Sequence, residues 1–171
     1  MIDNFSERFI EFVGQVEQSL PSSFQRGRME EHNGRVAALT AEYSTHEKKK
    51  LLGLMPTGTV AHCHEFRLLY AVPKMDMQAL EDWWEFARGL QQEIVPVDPM
   101  HEFSMVSLIL VAGEVEKAVI RKLKGKASEM TYKTPMSGWS SVRVALVDLE
   151  ARKIHINRMG APLRELIKDL V

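Results

Sequence analysis

The chain is short of several things, and each shortage excludes a class of protein. It has one cysteine in 171 residues, Cys63. No intramolecular disulfide can form, disulfide-stapled folds are out, and a reducing compartment is the natural setting. It has almost no net charge: 22 basic and 23 acidic side chains leave a formal value of -1. Proteins that hold nucleic acid or anionic membranes through bulk electrostatics carry a basic excess, so this balance gives no strong nucleic-acid signal. Its longest mostly apolar stretch, Met105 to Ala112, falls far below the roughly 20 residues of a membrane helix. Its opening, Met-Ile-Asp-Asn-Phe-Ser-Glu, has no basic segment followed by an apolar one, so no secretory signal is expected. These readings predict a cytoplasmic protein that spans no membrane.

Catalytic and cofactor signatures are also missing. There is no CxxC, no HExxH, no glycine-rich GxGxxG or GxxxxGK[ST] loop and no GxSxG elbow. The sequence therefore gives no nucleotide loop, zinc finger or hydrolase triad.

What is present is an ordinary globular composition, with 45% hydrophobic and 26% charged residues. A chain of this length buries roughly two thirds of its unfolded surface and folds without staples. We read it as one domain over residues 1–171: an N-terminal amphipathic helix at 1–20, a polar connector at 21–33 and a mixed-sheet core at 34–171.

Periodicity supplies the elements. Phe5, Phe9, Phe12, Val13, Val16 and Leu20 recur at three- and four-residue steps, which predicts a helix from Ile2 to Leu20 ended by Pro21. Strands are expected at Arg35–Tyr43 and Lys48–Met55, with a turn at Pro56-Thr57-Gly58-Thr59. A long strand then runs from Val60 to Val72 and stops at Pro73. Asp76 is placed to cap a second helix, Met77–Val95, whose stripe is Leu80, Trp84, Ala87, Leu90 and Ile94. Phe103 to Ala112 is almost wholly apolar, as in a strand covered on both faces, and Gly113 should break it. A short helix at Glu114–Lys124, a strand at Ala127–Lys133, a hairpin of Val142–Leu149 with Lys153–Asn157 and a last helix at Leu163–Leu170 complete the chain.

Strand–helix–strand units imply parallel neighbours with right-handed crossovers, and the terminal hairpin implies antiparallel ones. The expected fold is α/β, bordering on α+β. It has a mixed sheet of five to six strands, helices packed on its faces, and helices at both termini.

The densest set of metal-binding side chains is His62, His64, His101 and Glu102. Histidines two apart on a strand share a face. If the strands at Val60 and Phe103 are parallel neighbours, all four residues lie near the same strand ends. A divalent metal such as zinc, in a metal-dependent hydrolase using His62, His64 and His101, would suit them. Against this, His62 and His64 continue the face of Phe66, Leu68 and Tyr70, so they also fit the rim of a core.

Glu65-Phe66-Arg67, with Glu42 on an earlier strand, forms a second candidate. In element order this set resembles the restriction-endonuclease-like nucleases. The resemblance implies a magnesium ion held by Glu42 and Glu65, with Arg67 standing where that pattern has lysine. No Pro-Asp pair precedes it.

Other features have bland readings. Gly113 before a helix exposes backbone N–H groups, but Glu114 there favours the helix dipole and repels phosphate. Lys117, Arg121, Lys122, Lys124 and Lys126 fit the outer face of a helix. Tyr132, Met136 and Trp139 in a turn-rich loop are candidates for a partner surface. Adjacent Trp83 and Trp84 are not expected to face one core, which suggests a second layer or another subunit. The sequence thus leaves a ligand- or partner-binding module, able to form a homodimer, as its main functional expectation.

Overall fold

The computed structural model describes residues 4–51 and 55–171. Helix α1 is Asn4–Ser19, and three short strands follow: β1 (Gln25–Gly27), β2 (Glu30–His32) and β3 (Arg35–Ala37). Then come two long strands, β4 (Leu39–Leu51) and β5 (Met55–Met75), and helix α2 (Met77–Ile94). Next are β6 (His101–Val115), α3 (Lys117–Lys124), β7 (Glu129–Thr131), β8 (Trp139–Asp148), β9 (Lys153–Ile156) and α4 (Ala161–Ile167). A 3₁₀ turn at Lys168–Leu170 ends the chain's structure.

Among the described residues, seven strands form one mixed sheet in the order β1-β4-β5-β6-β8-β7, with β9 also paired to β8. β5, β6 and β8 run parallel, joined through α2 and α3, while β1, β4, β7 and β9 add antiparallel neighbours. This is the expected α/β architecture, with two layers of helix around the sheet. β2 and β3 pair as a separate hairpin.

The sheet has two different faces. One packs Phe66, Leu68, Tyr70, Val106, Leu108, Leu110, Val142 and Val144 against α2 and α3. The other packs Leu39, Leu69, Ile109, Val111, Ala145 and Val147 against α1 and α4. Because side chains alternate along a strand, even-numbered residues of β5, β6 and β8 serve the first face and odd-numbered ones the second.

Several expectations are corrected. The connector at 21–33 contains β1 and β2. The proposed turn at Pro56–Thr59 lies inside β5, and residues 52–54, part of the predicted Lys48–Met55 strand, lie outside the described set, as does Ile2. Pro73 does not stop β5. The β4 ladder ends at Leu39 opposite Leu69, so beyond it the only ladder partner is β6 and a missing N–H costs no bond on the other side.

Gly113 does not break β6 either. A Cβ there would sit 2.8 Å from Phe5 Cδ2 and 3.1 Å from the Pro73 carbonyl oxygen, so the glycine lets α1 lie against the strand. Trp83 and Trp84 are both buried in the α2 core and straddle its stripe. Trp83 meets Tyr70, with the Arg35 guanidinium 3.9 Å from its ring centre, and Trp84 lies toward Lys126. These two tryptophans therefore give no support to a subunit interface.

Candidate functional site

The parallel register places His62 opposite His101, and the strands bulge at that point. The predicted neighbours do meet, but each imidazole has its own engagement. His62 Nδ1 lies 2.8 Å from Asp98 Oδ2, and His64 Nδ1 lies 2.8 Å from Ser44 Oγ. His101 uses both ring nitrogens: Nδ1 bonds the Ser137 carbonyl at 2.9 Å and Nε2 bonds Ser104 Oγ at 2.7 Å. The rings of His64 and His101 stack with centres 6.2 Å apart. Glu102 is exposed on the side of Cys63, whose Sγ is 3.9 Å from its carboxylate. Among the described residues, no three His, Cys, Asp or Glu side chains are arranged to hold one metal ion. Asp98 is held below the usual carboxylate range, chiefly by its hydrogen bond with His62.

The set Glu42, Glu65 and Arg67 is divided by the sheet. Glu42 stands opposite Phe66, and Glu65 stands opposite Tyr43. Directly opposed residues point the same way, so Glu42 shares the α2 face with Phe66, while Glu65 and Arg67 lie on the α1/α4 face. No magnesium ion can bridge the two acids through the sheet. Glu42 instead borders an open groove of about 460 Å³ with Arg26, Glu30, His32, His64 and Phe66. Polar groups there are already paired: Thr40 donates to Glu30, and Glu30 lies 3.8 Å from His32.

The α1/α4 face is different. Its apolar cluster fills the row Leu39, Leu69, Ile109, Ala145, and in the next row out, Ala41, Arg67, Ser107, Arg143, only Ala41 still belongs to it. Beyond it comes Tyr43, Glu65, Met105, Ser141. Arg67 Nε donates to Glu65 Oε1 at 2.9 Å, and its guanidinium carbon lies 4.3 Å from the centre of the Phe24 ring. Phe24 in turn stacks toward Tyr43, so an aromatic wall closes this side.

Three polar atoms of these rows are buried without a hydrogen-bond partner: Ser107 Oγ, Ser141 Oγ and Arg143 Nε. Ser107 is 1% exposed and Ser141 0%. Burial pulls the Arg143 guanidinium below its ordinary value, Glu65 opposes this, and Arg67 adds to it by repulsion. A guanidinium still stays protonated at neutral pH. The patch holds two cations, Arg67 and Arg143, with Glu65 beside them, and on the edge strand β7 Glu129 stands opposite Ser141 on the same face.

Buried unpartnered polar groups are uncommon and costly, at about 1–3 kcal/mol each. Three of them lie on adjacent strands of one face. The Arg143 Nε–H can only donate, whereas each serine hydroxyl can donate or accept. Sequence reasoning had Arg67 for another role and passed over Arg143. The available signal was a guanidinium between Val142 and Val144, at the start of the largely apolar stretch Val142–Val147.

The family model described as Domain of unknown function (DUF8052) matches residues 9–169. The chain belongs to that family. No curated protein and no solved structure matches it. The match in this DUF8052 member covers both strand–helix units and α4, so the whole arginine–serine patch falls within the family domain. No described helix is long and apolar enough to cross a membrane.

Proposed function

We propose that this chain is a binding module for a small anionic ligand, held on the outer part of the α1/α4 sheet face by Arg67, Ser107, Ser141 and Arg143. The observation that carries this reading is the trio of buried atoms without a protein partner, Ser107 Oγ, Ser141 Oγ and Arg143 Nε, in register with the Arg67 guanidinium. A carboxylate or phosphate offers several lone-pair sites to a guanidinium fork and to hydroxyl donors, and such charge-assisted bonds are the strong ones. The mixed sheet supplies rigidity, because the donors sit on three paired strands rather than on loops. The single Cys63 supports a reducing, cytoplasmic setting for this activity.

The test is titration of the purified protein with acetate, succinate, phosphate and sulfate, followed by backbone amide chemical shifts. Saturable binding of at least one anion is expected, with shifts concentrated at residues 65–67, 105–107 and 141–143. The double substitution Arg67→Gln with Arg143→Gln should abolish it. Flat titrations with all four anions would refute the proposal.

A further inference from the structure

Next to the arginine row, the same face opens into a cavity of about 100 Å³. Its walls are Val16 of α1, Leu20 just after that helix, Leu39 and Leu69 of the sheet, and Leu163 and Ile167 of α4, with Arg67 also in the lining. The lining is aliphatic apart from Arg67 and Ser19. Along a strand, the next residue on the same face is about 6.6 Å away. The polar row Arg67, Ser107, Arg143 and the cavity floor Leu69, Ile109 are therefore about one short alkyl chain apart. An engineered apolar cavity of about 150 Å³ takes a six-carbon ring, so a space of this size takes about four carbons.

We infer that the ligand is a short-chain aliphatic carboxylic acid. Its carboxylate lies on Arg67, Ser107 and Arg143, and a body of about four carbons fills the cavity under α1 and α4. This rests on the anion-binding reading above and adds the ligand's apolar half. Neither half of the site is sufficient. The cavity alone would take any small hydrocarbon, and the arginines alone would take any anion. Their adjacency selects molecules with both parts in that order and at that length. Ser141 lies one row farther from the cavity than Arg143 and closes the polar end.

The experiment compares acetate, pentanoate, decanoate and pentanamide on the intact protein by isothermal titration calorimetry. Methyl-detected NMR in parallel reports where each binds. Each further buried methylene is worth about a factor of four, so pentanoate, with three more than acetate, should bind about sixty-fold tighter. Decanoate should show no further gain, because its chain outgrows the cavity. Pentanamide should lose most of the affinity. Pentanoate, but not acetate, should shift the methyl signals of Leu69, Ile109 and Leu163. If acetate binds and pentanoate is no tighter, the cavity assignment falls and the anion reading stands. If pentanamide matches pentanoate, the carboxylate is not recognised and both fall. If none of the four binds, the carboxylic-acid inference falls, while the anion reading falls only if phosphate and sulfate fail as well.

Discussion

Four serines in two adjacent strands provide a test that depends on sign rather than size. Ser104 and Ser140 point to the α2 face, and Ser107 and Ser141 to the α1/α4 face. All four are at most 1% exposed. Ser104 Oγ bonds His101 Nε2 at 2.7 Å, while Ser140 Oγ receives Gln91 Nε2 at 3.0 Å and lies 2.7 Å from the Tyr132 hydroxyl. Ser107 and Ser141 have no such partners.

Replacing a bonded buried hydroxyl leaves its partner stranded, at about 1–3 kcal/mol. Replacing an unpartnered one removes a desolvation penalty of the same order. Ser104→Ala and Ser140→Ala should therefore destabilise the ligand-free protein by about 1–2 kcal/mol. Ser107→Ala and Ser141→Ala should stabilise it by about 1 kcal/mol each. Urea denaturation at neutral pH measures this as a shifted midpoint with an unchanged slope. For a chain of this size, each kcal/mol also moves the melting temperature by about 2–4 °C.

Added pentanoate should then reverse the order. A ligand that binds only the folded state stabilises it in proportion to its affinity, and the Ser107 and Ser141 variants should gain less than the parent. Destabilisation of 1 kcal/mol or more by either Ser107→Ala or Ser141→Ala, without ligand, would refute the reasoning. Those hydroxyls would then have partners in the resting fold.

Three other predictions concern the scaffold. His155 is held below its ordinary value of 6.5, first by burial, with Asp148 opposing and Lys153 and Lys124 adding to the effect. Below pH 6.5 the unfolded chain takes up a proton before the folded one does, so His155 costs stability as pH falls from 6.5 toward its folded value and costs nothing above 6.5. His155→Gln should flatten the loss between about pH 7.5 and 5.5 in urea midpoints, and an equal loss in both proteins would oppose this assignment. Gly138 has φ of +82°, and a Cβ there would meet the Glu102 carbonyl oxygen at 2.4 Å, so Gly138→Ala should lower stability by about 2 kcal/mol or more in thermal melts. Asp76 accepts from the Ala79 N–H at 2.8 Å as the cap of α2, so Asp76→Ala should cost about 1 kcal/mol by the same measurement.

Much of the fold was legible because long periodic segments carry strong patterns. α1 and α2 followed from three- and four-residue spacing, and β6 from its almost wholly apolar run. The parallel pairing of β5 with β6, and so the meeting of His62 with His101, followed from the crossover rule. The short strands β1–β3 were hidden in a polar connector, because three exposed residues leave no pattern. Pro56, Pro73 and Gly113 misled for one reason: they are breakers only where a ladder bond or a Cβ is needed. The two tryptophans misled because a helix wedged between a hairpin and a second helix has a wider buried arc than one stripe. The site itself was mostly illegible. Ser107 looked like one more residue of an apolar strand, and nothing within β6 says that Arg67 and Arg143 flank it. That arrangement exists only in the register of three strands distant in sequence.

Register also explains why these rows differ from an ordinary solvated sheet face. On β4, polar side chains that face water are exposed, as Glu42 and Ser44 are. In the rows beyond Ile109, Ser107 and Ser141 are closed off almost completely, although Ala41 is the one residue of those rows in the apolar cluster under α1 and α4. The neighbouring long polar side chains, Glu65, Arg67 and Arg143, are themselves only partly exposed. A surface meant only for water would leave its hydroxyls in water, and a core would use alanine or valine, as the row Ile109–Ala145 does. Serine and arginine in a closed setting without protein partners are what the proposed anion-binding reading requires. Hydrogen bonds made in such a low-dielectric setting are stronger than those made in water. A buried hydroxyl without a partner also costs stability, so the ligand-free fold should gain stability when the serines are removed and the bound state should lose it.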